Sequence, residues 1–395
     1  MSELPQPFWF HRSSLPREGD VIVVGAGIVG LSTAYWAARS GLDVLVLEAD
    51  RIGLGATGRS TGFLQTGGVV PFTVLVERVG EEAALAWWEL SRENSALLRE
   101  EILEEGGSKV EWRPEGSWRT GRRASSQETA WEASVERLRG EGFPVRWRDR
   151  EEVEEVSGSD LLGGALFVEE DGGLDPLSLC RAFSRVDGVR VLRGARIREL
   201  EESGSGVVVR WAGGEARAAR LILAVNAQIV PLVPILARII RPWSLQALAT
   251  EPAKDRLPGL WVVNGEDLTL RQLADGTLLA AGGGPPAHGG ESGFLELPTA
   301  SGQGALESCL ESLFPHLETA VAYRWAGTVA RTRGGMPLVG VHPELARVAY
   351  ASGFGGQGLA LGFALGRRLG RWLAGGELEL PEGFPRPELP EAAEA

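Results

Sequence analysis

The chain has 395 residues, of which 44% are hydrophobic and 24% are charged, and its formal net charge is −13. This length corresponds to roughly two or three domains that can each bury a full core. The negative charge disfavours binding to nucleic acids or anionic membranes, because both need a basic surface. Two cysteines and four scattered histidines form neither a disulfide framework nor a metal-ligand pattern, so we expect no metal site.

The sequence predicts a cytoplasmic protein without a membrane span. The first residues lack the basic start and the unbroken apolar run of a secretion signal. The most apolar window, residues 221–240, contains two prolines and an arginine. A spanning helix needs about 20 predominantly apolar residues, so this window predicts a buried strand and a loop instead. Residues 1–19 predict a proline-containing arm that packs against the body of the protein.

The first predicted elements form a strand–helix–strand unit. The run DVIVVG at residues 20–25 predicts a strand that is buried on both faces. Residues 28–40 have the apolar spacing of a helix, and Gly41 suits the end of that helix. The run DVLVLE at residues 43–48 predicts a second buried strand. Three such elements within about 30 residues make a βαβ unit.

The rest of the chain predicts further helices and many short strands. The helices are predicted at 81–105, 126–139 and 355–373. The strands are predicted at 165–168, 189–192, 207–211, 221–225 and 348–351. Residues 241–297 alternate apolar runs with turns, as in an antiparallel sheet. The Pro/Glu-rich end of the chain predicts a mobile tail.

The pattern G-x-G-x-x-G occurs three times, and its first copy has the context of a dinucleotide site. Gly25, Gly27 and Gly30 lie between the first strand and the helix, and Glu48 closes the next strand 18 residues after Gly30. The glycines allow the backbone to approach a pyrophosphate at the positive end of the helix. Glu48 would accept hydrogen bonds from the ribose hydroxyls, which disfavours NADP.

The other two copies have a weaker context. The copy in RIGLGATGRSTGF, residues 51–63, directly follows the ribose-binding strand. It is placed to run along a diphosphate, and the alternative is a flexible surface loop. The copy at 353–358 follows the strand at 348 and opens a helix. Its backbone amides are placed to face a developing negative charge, and the alternative is a simple strand–helix turn.

Six segments together resemble a known family. They are VIVVGAGIVGLSTAYWAARSGLDVLVLE, GATGRSTGF, GGLDPLSL, LILAVNAQIVPLVP, RWAGTVARTRGGMPLVG and ASGFGGQGLALG. In this order they resemble the D-amino-acid oxidase superfamily of FAD enzymes, which includes glycine oxidase, monomeric sarcosine oxidase and the gamma-glutamylputrescine oxidase type. The resemblance covers residues 20–375. It implies an α/β (α+β) fold, in which a Rossmann-like FAD-binding domain is interleaved with a mixed or antiparallel-sheet substrate domain.

We expect this interleaving to divide the chain into discontinuous domains, because dinucleotide-type elements recur at both ends. The FAD-binding domain is expected at 1–90, 155–228 and 325–380. The substrate domain is expected at 91–154 and 229–324. The mobile tail is expected at 381–395.

The resemblance also implies, residue by residue, where FAD binds. It places the first glycine turn on the pyrophosphate, Glu48 on the ribose, and the backbone of Ile197 on the adenine. Residues 56–63 would line the flavin loop, and residues 353–359 would lie beside the pyrimidine edge of the flavin. The expected FAD-binding residues are Gly25, Gly27, Ile28, Val29, Gly30, Glu48, Ala49, Ala56, Thr57, Thr61, Gly62, Phe63, Ile197, Gly353, Phe354, Gly355, Gly356, Gln357, Gly358 and Leu359.

Two positions depart from the family pattern. Val329 stands where glycine- and D-amino-acid-oxidising members have an arginine that binds the substrate carboxylate. Gly327 stands where sarcosine oxidase has the cysteine that bonds flavin, so we expect non-covalent FAD. The catalytic residues stay unassigned. The candidate substrate contacts are two arginines near the clamp position and an aromatic group that either surrounds a cationic amine or packs in the core: Arg331, Arg333, Trp243, Tyr323 and Trp325.

The resemblance therefore implies an FAD-dependent oxidoreductase that oxidises the C–N bond of a small amine or amino acid. Hydride would pass to flavin N5, the resulting imine would hydrolyse, and reoxidation by oxygen would give peroxide. One alternative is a dehydrogenase that uses another electron acceptor. A second is a flavin-binding subunit of a hetero-oligomer. An NAD-dependent dehydrogenase has less support, because nothing after residue 60 resembles a nicotinamide site.

Overall fold

The computed structural model describes residues 19–104, 109–204, 206–265, 267–282 and 291–385, with only the backbone of residues 291 and 292. The predicted arm up to residue 18 and the final residues 386–395 lie outside these ranges. The described chain is a mixed α/β structure built on a largely parallel sheet and a larger mixed sheet. The predicted fold class is therefore confirmed. In the described part of the chain, no helix is long and apolar enough to cross a membrane.

The largely parallel sheet takes its strands from both ends of the chain. Its order is β20 (Leu338–Val341), β21 (Val348–Ser352), β13 (Arg220–Leu223), β1 (Val21–Val24), β2 (Val44–Glu48) and β9 (Val189–Arg193). Neighbouring strands are parallel, except that β20 and β21 are antiparallel. Elements cover both faces of this sheet, which explains why β1 and β2 are continuous apolar runs.

Helices cover one face of the parallel sheet and a small antiparallel sheet covers the other. The helices are α1 (Ile28–Arg39) and α8 (Gly358–Leu373). The small sheet consists of β10 (Ile197–Ser203), β11 (Gly206–Trp211) and β12 (Gly214–Ala218). The two helices pack closely, because a Cβ on Gly366 of α8 would lie only 2.7 Å from the Cβ of Ser32 on α1.

The larger sheet is mixed and has nine strands within the described residues. Along its main path these are β18 (Glu291–Ser292), β14 (Ile240–Thr250), β17 (Leu278–Gly282), β16 (Leu268–Gln272), β15 (Leu260–Val263), β5 (Ser117–Arg122), β7 (Leu162–Val168) and β6 (Val145–Arg148). The ninth strand, β19 (Val321–Thr332), also pairs with β14. The antiparallel pairing predicted for 241–297 is confirmed. Among the described strands of this sheet, β15 and β5 are the neighbours that run parallel.

The remaining elements connect and cover these sheets. A third sheet contains β3 (Phe63–Leu64), β8 (Gly172–Leu174) and β4 (Trp112–Pro114). The other helices are α2 (Phe72–Val79), α3 (Glu81–Leu98), α4 (Ser126–Gly140), α5 (Arg150–Ser157), α6 (Pro176–Phe183) and α7 (Ala300–Leu313). The α-helix predicted over 81–105 thus ends at Leu98, and a π-helical turn at Arg99–Leu103 continues it.

Several segments differ from the sequence expectations. Strands β7 and most of β19 fall in ranges expected for the FAD-binding domain, yet both pair within the mixed sheet. Helix α8 begins at Gly358 rather than at Gly355, because Gly355 and Gly356 have φ values of +55° and +94°, outside the helical region. Residues 381–385 of the expected tail pack on the protein, with Phe384 buried.

Candidate active site

A cavity of about 560 Å³ is lined by both the parallel sheet and the mixed sheet. Its lining includes the carboxyl ends of β1 and β2, the segment after β13, and strands β14, β16, β17 and β19. Ligands of open parallel sheets bind beyond the carboxyl ends of the strands, so this position is the expected one for a cofactor. Within the described residues, no His/Cys/Asp/Glu group is arranged to hold a metal ion.

The turn between β1 and α1 presents backbone amides to the cavity. Gly25 has a φ of +103°, and a Cβ there would lie 2.4 Å from the carbonyl oxygen of Ala224. A Cβ on Gly30 would lie 2.0 Å from the carbonyl oxygen of Gly25, so only glycine lets α1 approach the turn. Gly27 and Ile28 line the cavity at the start of the helix. The positive helix end there favours a diphosphate.

Glu48 lies at the end of β2 with its carboxylate held in a fixed orientation. Its Oε2 accepts a hydrogen bond from the Ala26 N–H, and its Oε1 accepts one from the Asp50 N–H, both at 2.8 Å. A carboxylate offers about four acceptor positions, so two further donors can bind. The two hydroxyls of a ribose would fit those positions as donors. The glycine turn and this carboxylate together fit the adenosine diphosphate part of FAD.

Arg59 ties the loop that follows β2 to strand β19. Its Nε donates to the carbonyl oxygen of Leu54 at 3.1 Å, and its Nη1 donates to that of Ala326 at 2.9 Å. Its Nη2 lies 3.1 Å from a carboxylate oxygen of Glu296. The Arg59 carbonyl accepts a hydrogen bond from Nε1 of Trp325 at 2.9 Å. The sequence analysis missed this role, because Ala326 and Trp325 lie 267 and 266 residues along the chain from Arg59.

Gly327 lines the cavity directly beside Arg59. A Cβ on Gly327 would lie 3.2 Å from both the Cβ and the Cδ of Arg59, so a cysteine side chain there would crowd the arginine. The free cysteines, Cys180 and Cys309, are not among the residues that line the cavity. Burial raises the pKa of the Cys180 thiol to about 12, which keeps it from acting as a thiolate nucleophile. These contacts support the prediction of non-covalent FAD.

The glycine-rich segment before α8 forms a turn that faces the cavity. The Gly355 N–H donates to the carbonyl oxygen of Ala330 at 2.8 Å. No described atom lies within 4 Å of a Cβ placed on Gly355, so a ligand can approach this backbone closely. Gln357 occupies the N-cap position of α8 without a capping side-chain hydrogen bond, and its Oε1 accepts a hydrogen bond from Nε2 of Gln65 at 2.8 Å. The Gln357 N–H likewise donates to the carbonyl oxygen of Phe354 at 2.8 Å, so the expectation that the amides of this segment face a developing negative charge is wrong for Gly355 and Gln357.

Most of the expected FAD-binding residues line the cavity. Gly30, Gly62 and Gly353 do not reach it. At these positions a Cβ would clash with a neighbouring atom, at 2.0, 2.2 and 2.6 Å respectively, so they permit close packing behind the lining. The expected residues that line the cavity are Gly25, Gly27, Ile28, Val29, Glu48, Ala49, Ala56, Thr57, Thr61, Phe63, Ile197, Phe354, Gly355, Gly356, Gln357, Gly358 and Leu359.

The five candidate substrate contacts are not part of the cavity lining. The guanidinium of Arg331 stacks on the ring of Trp243 at 4.6 Å, and Tyr323 is 72% exposed. Trp325 donates to the Arg59 carbonyl, and Arg333 lies just after the end of β19. Consecutive residues on one face of a strand are about 6.6 Å apart, so Arg331 lies beyond the part of β19 that reaches the cavity. The structure therefore does not bring these side chains to the cavity.

The mixed sheet gives the cavity an uncharged wall, here called the mixed-sheet wall. It consists of Leu245, Gln246, Ala247, Thr269, Ala281, Gly282, Gly327, Thr328 and Val329. The position expected for a carboxylate-binding arginine, Val329, belongs to this wall. Among the described residues, the charged members of the cavity lining come from other segments and are Glu48, Asp50, Arg59, Arg196 and Glu296.

Asn226 is a further site residue that the sequence analysis did not single out. It lines the cavity with a φ of +52° and joins the segment after β13 to β19. Its Nδ2 donates to the carbonyl oxygen of Thr328 at 2.7 Å, and its Oδ1 accepts from the Ala330 N–H at 2.9 Å. Its own carbonyl accepts from the Ser352 hydroxyl at 2.9 Å. The LILAVNA segment was the available signal, since Asn is the type that tolerates positive φ.

Comparisons with known proteins agree with this geometry. A family model described as FAD dependent oxidoreductase, DAO, matches residues 20–372. The chain is 28% identical to the probable oxidoreductase OrdL of Haemophilus influenzae, over 97% of this chain and 90% of that protein. It is 29% identical to gamma-glutamylputrescine oxidoreductase of Escherichia coli, over 90% of this chain and 84% of that protein.

Solved structures share the same fold. Glycine oxidase from Geobacillus kaustophilus superposes with a TM-score of 0.77 at 21% identity, over 96% of this chain and 100% of that chain. L-proline dehydrogenase from P. horikoshii gives the same TM-score and identity, over 94% and 98% of the two chains. The family model matches most of the chain, and the β1–α1 turn and the carboxylate of Glu48 fit the adenosine diphosphate part of FAD. This chain therefore belongs to the DAO family of FAD-dependent oxidoreductases.

Proposed function

We propose that the protein oxidises the carbon–nitrogen bond of a small amine that carries no carboxylate beside the nitrogen. The observation that supports this most directly is the uncharged mixed-sheet wall, with Val329 in it. A buried carboxylate without a cationic partner is costly, since several kcal/mol of desolvation per ion stay uncompensated. A wall of this kind therefore favours an amine over an amino acid.

The two arginines of the described cavity lining are not placed to bind a substrate carboxylate at the mixed-sheet wall without losing other contacts. Arg59 already donates to two main-chain carbonyls and pairs with Glu296. Arg196 adjoins Ile197, which the family resemblance assigns to the adenine. Residues 283–290, which lie outside the described ranges, contain neither Arg nor Lys. Within the described lining, a substrate carboxylate beside the mixed-sheet wall would have to displace an existing partner of Arg59.

The names of the relatives support the oxidation of a carbon–nitrogen bond. One is named for the oxidoreduction of gamma-glutamylputrescine, and a further relative, the glycine oxidase of Bacillus licheniformis, is 26% identical over 90% of this chain. Both names describe compounds with an oxidisable C–N bond. Because identity is below 30%, these names support amine chemistry here without identifying the substrate.

The protein's own residues would bind FAD, orient the substrate amine beside it and exclude water from both. When bound, FAD would supply the acceptor for a hydride, which carries both electrons of the oxidation. The β1–α1 turn and Glu48 hold the adenosine diphosphate part, and the mixed-sheet wall excludes water from the reacting amine. An uncharged wall also favours the neutral amine, because burial disfavours a charged group. The substrate carbon loses a hydride and the nitrogen a proton, and water then hydrolyses the imine that this leaves.

The test is anaerobic mixing of the purified yellow holoprotein with a panel of substrates. The panel contains n-butylamine, N-methylbutylamine and 1,4-diaminobutane, with glycine and D-alanine as the carboxylate-bearing comparison. We expect amines to bleach the visible absorbance of the flavin and the two amino acids to do so poorly. Bleaching by glycine and D-alanine alone would contradict the proposal.

The same experiment separates the alternatives for the electron acceptor. Admission of air to the bleached enzyme should restore the colour quickly in an oxidase. Slow recovery in air with rapid recovery on adding a quinone or dye would indicate a dehydrogenase. A holoprotein that no panel member bleaches would instead support a flavin-binding subunit that needs a partner chain for turnover.

A further inference from the structure

We propose that Gln65 binds the nitrogen of the substrate amine, by accepting an N–H hydrogen bond at its side-chain oxygen. This inference rests on the proposed amine oxidation and names the contact that would orient the substrate. Gln65 follows strand β3, lines the cavity and is only 3% exposed. A polar side chain this deeply buried needs partners for both its amide nitrogen and its amide oxygen.

The Gln65 amide is satisfied on one side only. Its Nε2 donates to Oε1 of Gln357 at 2.8 Å. Its Oε1 is buried and has no donor among the described residues. Leaving a buried acceptor without a hydrogen bond is unfavourable, so a ligand that brings an N–H group to this oxygen is stabilised. An amine is the simplest such ligand, since its nitrogen carries the donor next to the carbon that is oxidised.

Other amide side chains of the cavity have already used their oxygens or are exposed. Oε1 of Gln246 accepts from the Thr299 N–H and from Nε2 of Gln303. Oδ1 of Asn226 accepts from a main-chain N–H of β19, and Oε1 of Gln357 accepts from Gln65. The side chain of Gln228 is exposed. Gln65 therefore holds the buried amide oxygen of the lining that has no partner among the described residues.

The backbone next to Gln65 is held rigidly by a buried ion pair. The N–H of Thr66 donates to Oδ1 of Asp171 at 2.8 Å. Oδ2 of the same carboxylate accepts from the Ser117 hydroxyl and from Nη2 of Arg119, both at 2.6 Å. Asp171 and Arg119 are 1% and 0% exposed. This anchor and the hydrogen bond to Gln357 fix Gln65 before a ligand arrives, which reduces the ordering cost of binding.

The test measures equilibrium binding of tert-butylamine to the holoenzyme through the change in flavin absorbance. This amine has no hydrogen on the carbon beside nitrogen, so it binds without being oxidised. We expect Gln65→Met to raise its dissociation constant at least tenfold, because the acceptor is lost at similar volume. Gln65→Glu keeps an oxygen acceptor, so its dissociation constant should equal or fall below that of the wild type.

Gln127→Met is the matched control. Gln127 lies on α4, is not part of the cavity lining, and also has a buried side-chain oxygen without a partner. The same substitution there should leave tert-butylamine binding unchanged within twofold. The FAD dissociation constant of each apoprotein and its melting temperature are measured in parallel. Both should stay near wild type in Gln65→Met if the oxygen contacts substrate rather than maintaining the fold.

Three results would overturn the inference. Unchanged tert-butylamine binding in Gln65→Met would remove the contact, even if amines still bleach the flavin and the proposed function stands. Weakened FAD binding with unchanged amine binding would assign the oxygen to the imide N–H of the flavin. Loss of amine binding in both Gln65→Met and Gln65→Glu would show that Gln65 does not act as an acceptor. Conversely, Gln65-dependent amine binding without bleaching by any amine would leave this contact intact and refute only the proposed oxidation.

Discussion

The contact between Gly327 and Arg59 predicts how firmly the loop after β2 holds FAD. In Gly327→Ala the new Cβ would lie 3.2 Å from both the Cβ and the Cδ of Arg59. These separations are shorter than ordinary van der Waals contact, so the arginine must shift. Its hydrogen bonds to the carbonyls of Leu54 and Ala326, at 3.1 and 2.9 Å, resist that shift. The strain therefore passes into a loop that lines the cavity.

These contacts set the size of the expected loss in FAD-binding free energy. Overpacking by one methyl group costs roughly 1–3 kcal/mol. A hydrogen bond from a charged donor contributes roughly 1.5–3 kcal/mol, and the half-exposed ion pair with Glu296 adds at most about 1 kcal/mol. We therefore expect Gly327→Ala to weaken FAD binding by about 1–2 kcal/mol, or about 5- to 30-fold. Arg59→Ala should weaken it by about 2–4 kcal/mol, or roughly 30- to 1,000-fold.

The assay is a double-mutant cycle, with apoprotein titrated by FAD and followed through flavin fluorescence. In an Arg59→Gly background both crowding atoms, the Cβ and the Cδ of Arg59, are absent, so Gly327→Ala should cost less than about 0.5 kcal/mol there. Glu296→Gln, which removes only the partly exposed ion pair, should change the dissociation constant by no more than about fivefold. Fully additive penalties, or an unchanged affinity in Arg59→Ala, would refute the idea that this contact holds the cofactor loop.

Three further predictions test the cofactor site and the packing behind it. Glu48→Ala should weaken FAD binding by roughly 1.5–3 kcal/mol, the value of hydrogen bonds to a charged group, and an unchanged titration would remove Glu48 from the ribose. Acid precipitation of the yellow protein should leave the colour in the supernatant, whereas colour in the pellet would show a covalent link. Gly366→Ala, with its Cβ 2.7 Å from that of Ser32, should destabilise the fold by roughly 1–3 kcal/mol in chemical denaturation. A Cβ on Gly304 would have no described atom within 4 Å, so Gly304→Ala should stabilise helix α7 by up to about 1 kcal/mol. Equal effects of Gly366→Ala and Gly304→Ala on stability would contradict the packing argument.

Local sequence patterns were sufficient to predict the strands and the turn that form the expected nucleotide-binding half of the site. Strands β1 and β2 are buried on both faces, so their apolar runs are continuous and easy to recognise. The glycines between β1 and α1 and the acid Glu48 follow at fixed spacing, because the turn and the next strand have little geometric freedom. The main local error was the start of α8. Gly355 and Gly356 resemble a helix start in sequence, and only their positive φ values reveal the turn.

The substrate side depended on contacts that no local pattern encodes. Arg59 meets Ala326, and Asn226 meets Thr328, across separations of 267 and 102 residues. The alternation of β19 correctly indicated that Val329 and Arg331 share a face, but how far along β19 the cavity reaches depends on neighbouring strands. Gln65 lies in a short strand-and-loop segment with no motif of its own, and the N–H of the next residue, Thr66, donates to Asp171, which is 105 residues away.

The strand order of the parallel sheet has a consequence for how the protein is made. Strand β1 lies between β2 and β13, and β13 pairs in turn with β21, which ends at Ser352. Helix α1 likewise packs on α8, which ends at Leu373. The ribosome therefore has to synthesise nearly the whole chain before β13 gains its second neighbour and before the turn at Gly355 can complete the cavity. Prematurely terminated chains should expose apolar sheet surface and lack flavin, which makes bound colour a marker of complete synthesis.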